Sequence, residues 1–373
     1  MIAVYIVFLI SIAGIGLSFI GYPAAIRFMA RNRSHSKSPK LEHVTVIVPA
    51  RNEEAYLKRK IENIIASEYP ESLLEVLVVE SGSDDRTVEI ARNLPVRLIH
   101  SDEGKVRAIN EGVRHARSDI IVVTDADTLT DASSIKNLVK HLYGRIGAVS
   151  GYSHLNESSE RGGFYLKSKL KYDRAEWKLR HAEGLVDSAR NLDGKLMAFR
   201  KSVVPALPVK FLCDDFPLTL VTRKLGYRCV IAADAHVYEE VPARLTEELK
   251  QIRRRMGLGI RVGLHYSPSM AFNPRYSIFG MLTVPFRILT PIFLPFILVY
   301  IALYLFVAMS WYYGAGLLGG GLLAVIALRG PYPLLQLLGT VLAWVDIISG
   351  KTGKAKTWEK IVNKDRQDHR NSN

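Results

Sequence analysis

The segment Asp119-Ile120-Ile121-Val122-Val123-Thr124-Asp125-Ala126-Asp127-Thr128 ends an apolar run with two carboxylates that are one residue apart. The apolar run predicts a buried strand, so both acids follow the carboxyl end of that strand. Open α/β sheets bind their ligands at this edge. Mg²⁺ typically uses one or two protein carboxylates together with substrate phosphates. By itself such a turn is more often a solvated loop or a helix cap, so the prediction of a metal site depends on the surrounding sequence.

Strands and helices alternate around this segment. We predict strands at 44–48, 73–79, 96–99 and 120–123, and helices that end at residue 92 and cover 104–116. This alternation predicts βαβ units and an α/β fold with a mainly parallel sheet. Polar loops near residues 50, 81 and 126 then lie at the ends of three strands, which favours a nucleotide site at one edge of the sheet.

Two long stretches without any charged side chain, residues 1–26 and 288–328, flank this region. Because about 20 apolar residues span a bilayer as a helix, we expect one crossing in the first stretch and two in the second. A secretory signal peptide is the alternative for the first stretch, but its basic residues would precede the apolar run. Here basic residues follow, which predicts a cytoplasmic central domain in a multi-pass protein of the cell membrane. These residues are Arg27, Arg31, Arg33, Lys37 and Lys40.

The domain organisation follows from these changes in composition. We predict an N-terminal transmembrane helix at 1–26, a basic linker at 27–42, a catalytic domain at 43–245, an amphipathic interfacial segment at 246–275, a C-terminal transmembrane region at 276–350 and a basic tail at 351–373. Whether residues 331–349 cross the membrane stays open. The net charge of +14 suits nucleic acid or anionic membrane lipids and phosphorylated substrates, and the apolar spans favour the second. We therefore expect membrane lipids as partners and no nucleic acid.

Six motifs resemble those of family 2 glycosyltransferases, the membrane-associated group with the GT-A fold that uses nucleotide sugars. The resemblance covers about residues 43–260. The motifs are VIVPARNEE (46–54), VVESGSDDRT (78–87), GKVRAIN (104–110), DAD (125–127), CDDFPL (213–218) and QIRRR (251–255). Each motif is only moderately specific, but together they occur in the order of the family.

The resemblance implies a donor site for a nucleotide-diphosphate sugar, with UDP as the expected nucleotide. The residues that it assigns to the base and ribose are Pro49, Ala50, Arg51, Glu53 and Glu80, with Asp85 supporting the same loop. Lys105 is expected near the nucleotide or its diphosphate. Asp125 and Asp127 are expected to bind ribose and a Mg²⁺ or Mn²⁺ ion, with Asp127 the more direct metal ligand.

The resemblance also implies a catalytic pair and an acceptor element. Asp214 and Asp215 take the place of the family's acidic pair, whose second member is the general base. Acids also favour the first turn of a helix, so a helix cap is the alternative for this pair. Gln251, Arg254 and Arg255 resemble the element that lies near the acceptor and the diphosphate. A basic helix that binds lipid headgroups is the alternative for these residues.

Three residues depart from the family pattern. Glu80 stands where the family usually has an aspartate, and Ser81 stands where it has a second acid, which leaves the choice of nucleotide base open. Arg255 replaces a tryptophan, which removes an aromatic surface on which an acceptor sugar could stack. Tyr152, Trp177 and Asp193 are further candidates for the acceptor pocket, although a buried aromatic residue more often belongs to the core.

The expected function is therefore metal-dependent, inverting transfer of a single sugar to a hydroxyl of a lipid-linked or glycolipid acceptor. A hydroxyl needs a base, whereas a phosphate is mostly ionised at neutral pH. A processive polysaccharide synthase is the nearest alternative, and a non-catalytic membrane scaffold or nucleotide-sugar sensor is the alternative of another class.

Overall fold

A computed structural model describes most of the chain. The described residues are 2–38, 40–156, 163–240, 245–271, 283–308, 319, 325–326 and 329–351. The predicted crossing that follows residue 308 and the basic tail therefore lie almost wholly outside the described residues.

The centre of the molecule is an eight-stranded sheet in the order β3-β2-β1-β4-β7-β6-β8-β5. The strands are β1 (Val44–Ala50), β2 (Leu74–Glu80), β3 (Arg97–His100), β4 (Ile120–Thr124), β5 (Leu129–Thr130), β6 (Ile146–Asn156), β7 (Leu196–Arg200) and β8 (Arg228–Glu240). The first four strands in this order are parallel. β7 is antiparallel to both of its neighbours, β4 and β6, while β6 and β8 are parallel. The prediction of a mainly parallel sheet therefore holds for one half, and the other half is mixed.

Helices pack on both faces of the sheet, and the helices near the two ends of the chain pack mainly against other helices. The helices are α1 (Ile2–Gly16), α2 (Tyr22–Ala30), α3 (Leu57–Ile65), α4 (Thr87–Arg92), α5 (Lys105–His115), α6 (Ser134–His141), α7 (Phe164–Val186), α8 (Asp215–Lys224) and α9 (Leu245–Ala271), followed by helices Thr290–Ala308 and Tyr332–Ile348. One core contains Val46 and Val122, and the opposite core contains Ile47 and Val123. Alternate residues of each strand thus enter different cores, which explains why these strands have continuous apolar sequences.

The strand order reverses direction at β1, because β2 and β3 lie on one side of it and β4 on the other. A crevice forms outside the carboxyl ends of the strands at such a switch point. The loops that follow β1, β2 and β4 all reach this edge, as the sequence predicted.

One boundary prediction was wrong. Pro49 and Ala50 were expected in a loop, but they are the last residues of β1 and pair with β2. Ala50 accepts a hydrogen bond from Ser81 on the β2 side, so Pro49, the alternate residue, faces β4. The ladder between β1 and β4 ends at Ile47. The missing amide proton of Pro49 therefore leaves no partner unsatisfied in this ladder.

Two helical stretches are long and apolar enough to cross a membrane, Tyr5–Ala30 and Val284–Val307. Helix Tyr332–Ile348 is also apolar but shorter. It packs against α9, where Arg253 forms an ion pair with Asp346.

The close approach of α5 to β1 gives a prediction about stability. A Cβ atom at Gly112 would lie 2.8 Å from two side-chain carbons of Ile47, which is fully buried. We expect Gly112→Ala to lower the free energy of unfolding by about 1–3 kcal/mol, since the core must shift to accept the methyl group. Denaturant unfolding of the purified protein measures this change.

Gly259→Ala in α9 is the matched control, because a Cβ atom there would meet nothing within 4 Å. Alanine favours a helix over glycine by about 1 kcal/mol, so this variant should be at least as stable as the wild type. Equal stability of the two variants would contradict the packing argument.

Candidate functional site

Lys105, the first residue of α5, joins the two acidic motifs of the site. Its Nζ lies 2.7 Å from Oδ1 of Asp125 and 3.0 Å from Oδ2 of Asp214. Burial lowers the pKa of Lys105, but the two carboxylates outweigh this effect and raise the pKa above its usual value. The end of β4 and the beginning of α8 are therefore linked through one charged group.

The loop after β1 is tied to the loop after β2. Asn52 has a positive φ of 56°, and its side-chain oxygen accepts a hydrogen bond of 2.9 Å from the amide of Asp84. Asp85 accepts from the amide of Glu54 at 3.1 Å and from the amide of Thr87 at 2.9 Å. Asp85 therefore links the loop after β2 to the loop after β1.

The other residues predicted to bind the nucleotide lie around the same loops. Arg51 forms an ion pair with Glu103. Glu53 is 4% exposed, and its amide donates a hydrogen bond of 2.7 Å to Thr87 Oγ1. Pro49 and Ala50, which end β1, complete this side of the crevice.

Both carboxylate oxygens of Glu80 have a polar partner in the structure. One oxygen accepts a hydrogen bond from the amide of Ser83, and the other lies 3.0 Å from Nδ1 of His100. Burial raises the pKa of this carboxyl, but these hydrogen bonds outweigh it and lower the pKa overall. Glu80 is therefore held as an anion at the edge of the crevice.

The Asp125-Ala126-Asp127 turn is anchored by backbone contacts. The amide of Asp125 donates to the carbonyl of Lys195 at 3.3 Å, and Thr128 Oγ1 donates to the carbonyl of Asp125 at 3.0 Å. Asp125 is partly buried, whereas Asp127 is exposed. The turn thus presents one carboxylate inside the crevice and one at its surface.

The two turn acids fit a hard divalent cation. Within the described part of the chain, no group of three or more His, Cys, Asp or Glu side chains lies close enough to hold a metal. Carboxylate oxygens are nevertheless the ligands that Mg²⁺ and Mn²⁺ prefer, and one or two suffice when phosphates and water supply the others. The donor set therefore suits a cation that binds together with a diphosphate.

The acidic pair lies at the start of α8. Asp214 occupies the N-cap position, but its side chain makes no capping hydrogen bond, so the cap interpretation fails for this residue. A Cβ atom at Gly194 would lie 2.8 Å from Asp214 Oδ2. Only glycine therefore leaves room for the carboxylate that pairs with Lys105.

Asp215 is the partly buried member of the pair. Its Oδ1 accepts a hydrogen bond of 2.6 Å from the amide of Phe216. Burial and the charges of Asp214 and Asp193 raise its pKa to about 7. A carboxyl with this pKa can take a proton near neutral pH.

Lys195 contacts three polar side chains in the part of the site next to Asp215. Lys195 Nζ lies 2.7 Å from Glu239 Oε1 and 3.5 Å from Asp193 Oδ2, and it donates to Ser153 Oγ at 3.2 Å. The sequence indicated Asp193 but missed Lys195, which is two residues further on, and Glu239, which belongs to β8. Trp177 is 6% exposed and belongs to the core.

The QIRRR element lies on α9. Arg254 is exposed, and its charge interacts with that of Asp125. Arg255 lies 3.7 Å from Glu248, while Gln251 is partly buried on the same helix. Arg254 therefore lies near the Asp125-Ala126-Asp127 turn, whereas Arg255 forms an ion pair within α9.

Lys60 is a site residue that the sequence analysis missed. It is fully buried beneath the Asp125-Ala126-Asp127 turn and donates a hydrogen bond of 2.7 Å to Thr124 Oγ1. Burial lowers its pKa to about 7, although Asp125 and Asp127 act in the opposite direction. The helical spacing could have predicted its burial, because Lys60 lies on the same face as the apolar residues Leu57, Ile61 and Ile64.

The chain is similar to known glycosyltransferases in sequence and in fold. Residues 45–204 match the model of a family described as glycosyl transferase family 2. A solved mannosyltransferase, PcManGT from Pyrobaculum calidifontis in complex with GDP-Man and Mn²⁺, is 25% identical with a TM-score of 0.74. That alignment covers 91% of this chain and 98% of the other.

Curated relatives match over shorter ranges. The poly-beta-1,6-N-acetyl-D-glucosamine synthase of Staphylococcus aureus is 22% identical over 249 residues, which is 64% of this chain and 59% of that protein. The Bacillus subtilis protein named "Probable glycosyltransferase YdaM" is 25% identical over 219 residues, 54% of this chain and 51% of that protein. The chain thus spans less than two thirds of the length of these relatives.

The raised pKa of Asp215 predicts a change in stability. A carboxyl whose pKa is higher in the folded chain favours folding at acid pH, and this contribution is lost as the pH rises from about 4 to about 7. Asp215→Asn should therefore match the wild type in stability near pH 4. Near pH 8 it should be more stable by about 1–2 kcal/mol, a value reduced because water screens part of the effect.

Thermal unfolding of the two proteins at several pH values measures this difference. Asp102→Asn is the matched control, because the Asp102 side chain is 87% exposed. A constant difference between Asp215→Asn and the wild type across this range would contradict the raised pKa.

Proposed function

We propose that this chain, whose residues 45–204 match the glycosyl transferase family 2 model, transfers a single sugar from a nucleotide-diphosphate sugar to a hydroxyl of a lipid-linked or membrane-presented acceptor. The single observation that carries this proposal is the bridge from Lys105 to Asp125 and Asp214. The bridge places the turn that would hold the diphosphate directly beside the acids that would receive the acceptor.

The donor side of the proposal rests on the crevice at the switch point of the sheet. The residues that would hold the nucleotide are the predicted set, Pro49, Ala50, Arg51, Glu53, Glu80, Asp85 and Asp125. Asp127 and Asp125 would hold a Mg²⁺ or Mn²⁺ ion, which stabilises negative charge on the leaving diphosphate when bound. Lys105 would remain beside that charge and keep Asp125 oriented.

Two nucleotides are candidates for the donor. The family resemblance favours UDP. The likeness to the mannosyltransferase crystallised with GDP-Man and Mn²⁺ extends over 91% of this chain, and this extent supports GDP-mannose as the second candidate. Glu80, which is fixed by Ser83 and His100, would contact either nucleotide.

Asp215 is the proposed general base. A base with a pKa near the working pH combines a large ionised fraction with useful basicity, and Asp215 meets this requirement. It would take the proton of the acceptor hydroxyl as that oxygen attacks the anomeric carbon opposite the diphosphate. Direct displacement of this kind inverts the anomeric configuration.

The acceptor would approach from the side of Lys195 and α9. Asp193, Lys195 and Glu239 form a polar wall next to Asp215, and hydroxyl groups can hydrogen-bond to such side chains. Gln251, Arg254 and Arg255 would lie between this wall and the diphosphate. The two apolar helices would keep the domain at the inner face of the cell membrane, within reach of a lipid-linked acceptor.

A processive synthase is the second candidate, because the S. aureus relative is named as a polymer synthase. The two functions differ in the length of the product. We expect one added sugar per acceptor when products from labelled donor are resolved on a gel. A ladder or a high-molecular-weight smear would favour the synthase.

The donor and metal assignments can be tested with membranes that contain the protein. We expect label from UDP-sugars or GDP-mannose to enter the lipid extract with Mn²⁺ and not with EDTA. Asp127→Asn should lower transfer by about 100-fold or more, since metal chemistry depends on this ligand. Lack of transfer from every donor, together with intact metal-dependent donor binding, would instead favour the sensor function.

The role of Asp215 can be tested through the acceptor. Asp215→Asn should lower transfer by about 100- to 10,000-fold and leave donor affinity unchanged. The wild-type rate should fall as the pH drops below about 7, because Asp215 becomes protonated. Retained transfer in Asp215→Asn would contradict the hydroxyl assignment and point to an acceptor such as a phosphate, which needs no base.

A further inference from the structure

Helix α3 directs two polar side chains at the loop that carries the turn acids. Leu57, Ile61 and Ile64 form the buried stripe of this amphipathic helix, and Lys60 lies on that stripe with no exposed surface. Burial of an ammonium group is costly unless every proton has a partner. Each proton of the buried Lys60 ammonium group should therefore have a hydrogen-bond acceptor.

All three protons of the Lys60 ammonium group have an acceptor. Nζ lies 2.7 Å from Thr124 Oγ1, 3.1 Å from the Thr128 carbonyl and 3.4 Å from Thr128 Oγ1. Thr124 Oγ1 gives its own proton to the Lys195 carbonyl at 2.8 Å, and Thr128 Oγ1 gives its proton to the Asp125 carbonyl at 3.0 Å. Both hydroxyls can thus only accept from Lys60.

The three contacts of Nζ suit the charged form of Lys60. An ammonium group has three donors, whereas a neutral amine has two and would leave one of the three acceptors without a proton. Lys60 therefore holds both sides of the turn, Thr124 before it and Thr128 after it. It does so without touching the carboxylates themselves.

Asn63, three residues along α3, holds the next part of the same loop. Its Nδ2 donates to the Thr130 carbonyl at 2.9 Å, and its Oδ1 accepts from the Thr130 amide at 2.9 Å and the Thr130 hydroxyl at 3.1 Å. Residues three apart lie on the same face of a helix. The segment from Thr124 to Thr130 is thus fastened to one face of α3 by six hydrogen bonds.

We propose that Lys60 and Asn63 are positioning residues, which fix the Asp125-Ala126-Asp127 turn so that its two carboxylates can bind a divalent cation together with a diphosphate. This inference rests on the proposed function. It adds a buried support for the metal turn on α3, a helix that contributes none of the predicted ligands.

The direction of the change in Mn²⁺ affinity distinguishes a positioning role of Lys60 from a purely electrostatic role. Removal of a positive charge near two carboxylates would by itself strengthen the binding of a cation. Loss of the hydrogen bonds would release the turn and weaken that binding. Weaker Mn²⁺ binding in a variant that lacks the charge can therefore come only from lost positioning or from lost folding.

The test measures Mn²⁺ affinity in the purified full-length chain by electron paramagnetic resonance, with UDP or GDP present. Lys60→Met keeps the length of the side chain and removes its charge and its donors. Partners that support metal ligands typically change metal affinity by about 10- to 100-fold, and we expect a loss of this size. Thr128→Val, which removes one acceptor and the bond to the Asp125 carbonyl, should give a smaller loss in the same direction.

Lys58→Met is the matched control, because the Lys58 side chain is on the same helix and 71% exposed. It should bind Mn²⁺ as the wild type does. Calorimetric titration with nucleotide in EDTA should give the same affinity in all variants, because the loops after β1 and β2 are unchanged. This second measurement distinguishes a displaced turn from a misfolded domain.

Unchanged or tighter Mn²⁺ binding in Lys60→Met would overturn the inference and leave the proposed function intact. If Lys60→Met fails to fold, the Mn²⁺ affinity of Thr128→Val tests the inference, and unchanged or tighter binding in that variant would overturn it. Wild-type affinity for Mn²⁺ in Asp127→Asn would instead overturn the proposed metal site, and the inference with it.

Discussion

The ion pairs of Lys105 are the interaction on which the site depends. Asp125 and Asp214 come from separate elements and are brought together beneath the crevice, where two unpaired carboxylates would repel each other strongly. The Lys105 ammonium, at 2.7 and 3.0 Å from them, balances this charge. Removal of one partner from such a cluster is costly because it leaves a buried charge uncompensated. The Asp125-Ala126-Asp127 turn and the start of α8 are therefore held in a fixed position relative to each other.

A second set of charges connects this domain to the apolar helices. Arg287, in the stretch Val284–Val307, lies 2.9 Å from Glu176 of α7. Glu176 also pairs with Arg190, which lies 2.8 Å from Glu183. Tyr22, in the first apolar stretch, donates to Glu183 at 3.3 Å. Helix α7 thus contacts both apolar stretches, which gives the proposed membrane anchorage a fixed orientation relative to the sheet.

Much of the fold could be predicted because local sequence patterns set it. The apolar run before Asp125 is a strand, and the alternation of strands and helices from residue 44 to residue 124 matches the prediction closely. The antiparallel insertion of β7 was not predictable, since it depends on pairing with β4 across many residues. Lys60 and Lys195 were missed for a related reason. A lysine is assumed to be exposed unless a fold supplies acceptors for its protons.

The sequence by itself determined which chemical groups are available. It placed two carboxylates at a strand end, a second pair before a helix and long apolar stretches at both ends, because these features depend on neighbouring residues. Only the tertiary structure decided how these groups meet. Lys105 lies between the two acidic motifs, the Asp214 side chain pairs with Lys105 and makes no capping hydrogen bond, and Lys60 is buried beneath the Asp125-Ala126-Asp127 turn. Contacts of this kind join residues far apart in the chain, and their geometry depends on the packing of the whole sheet.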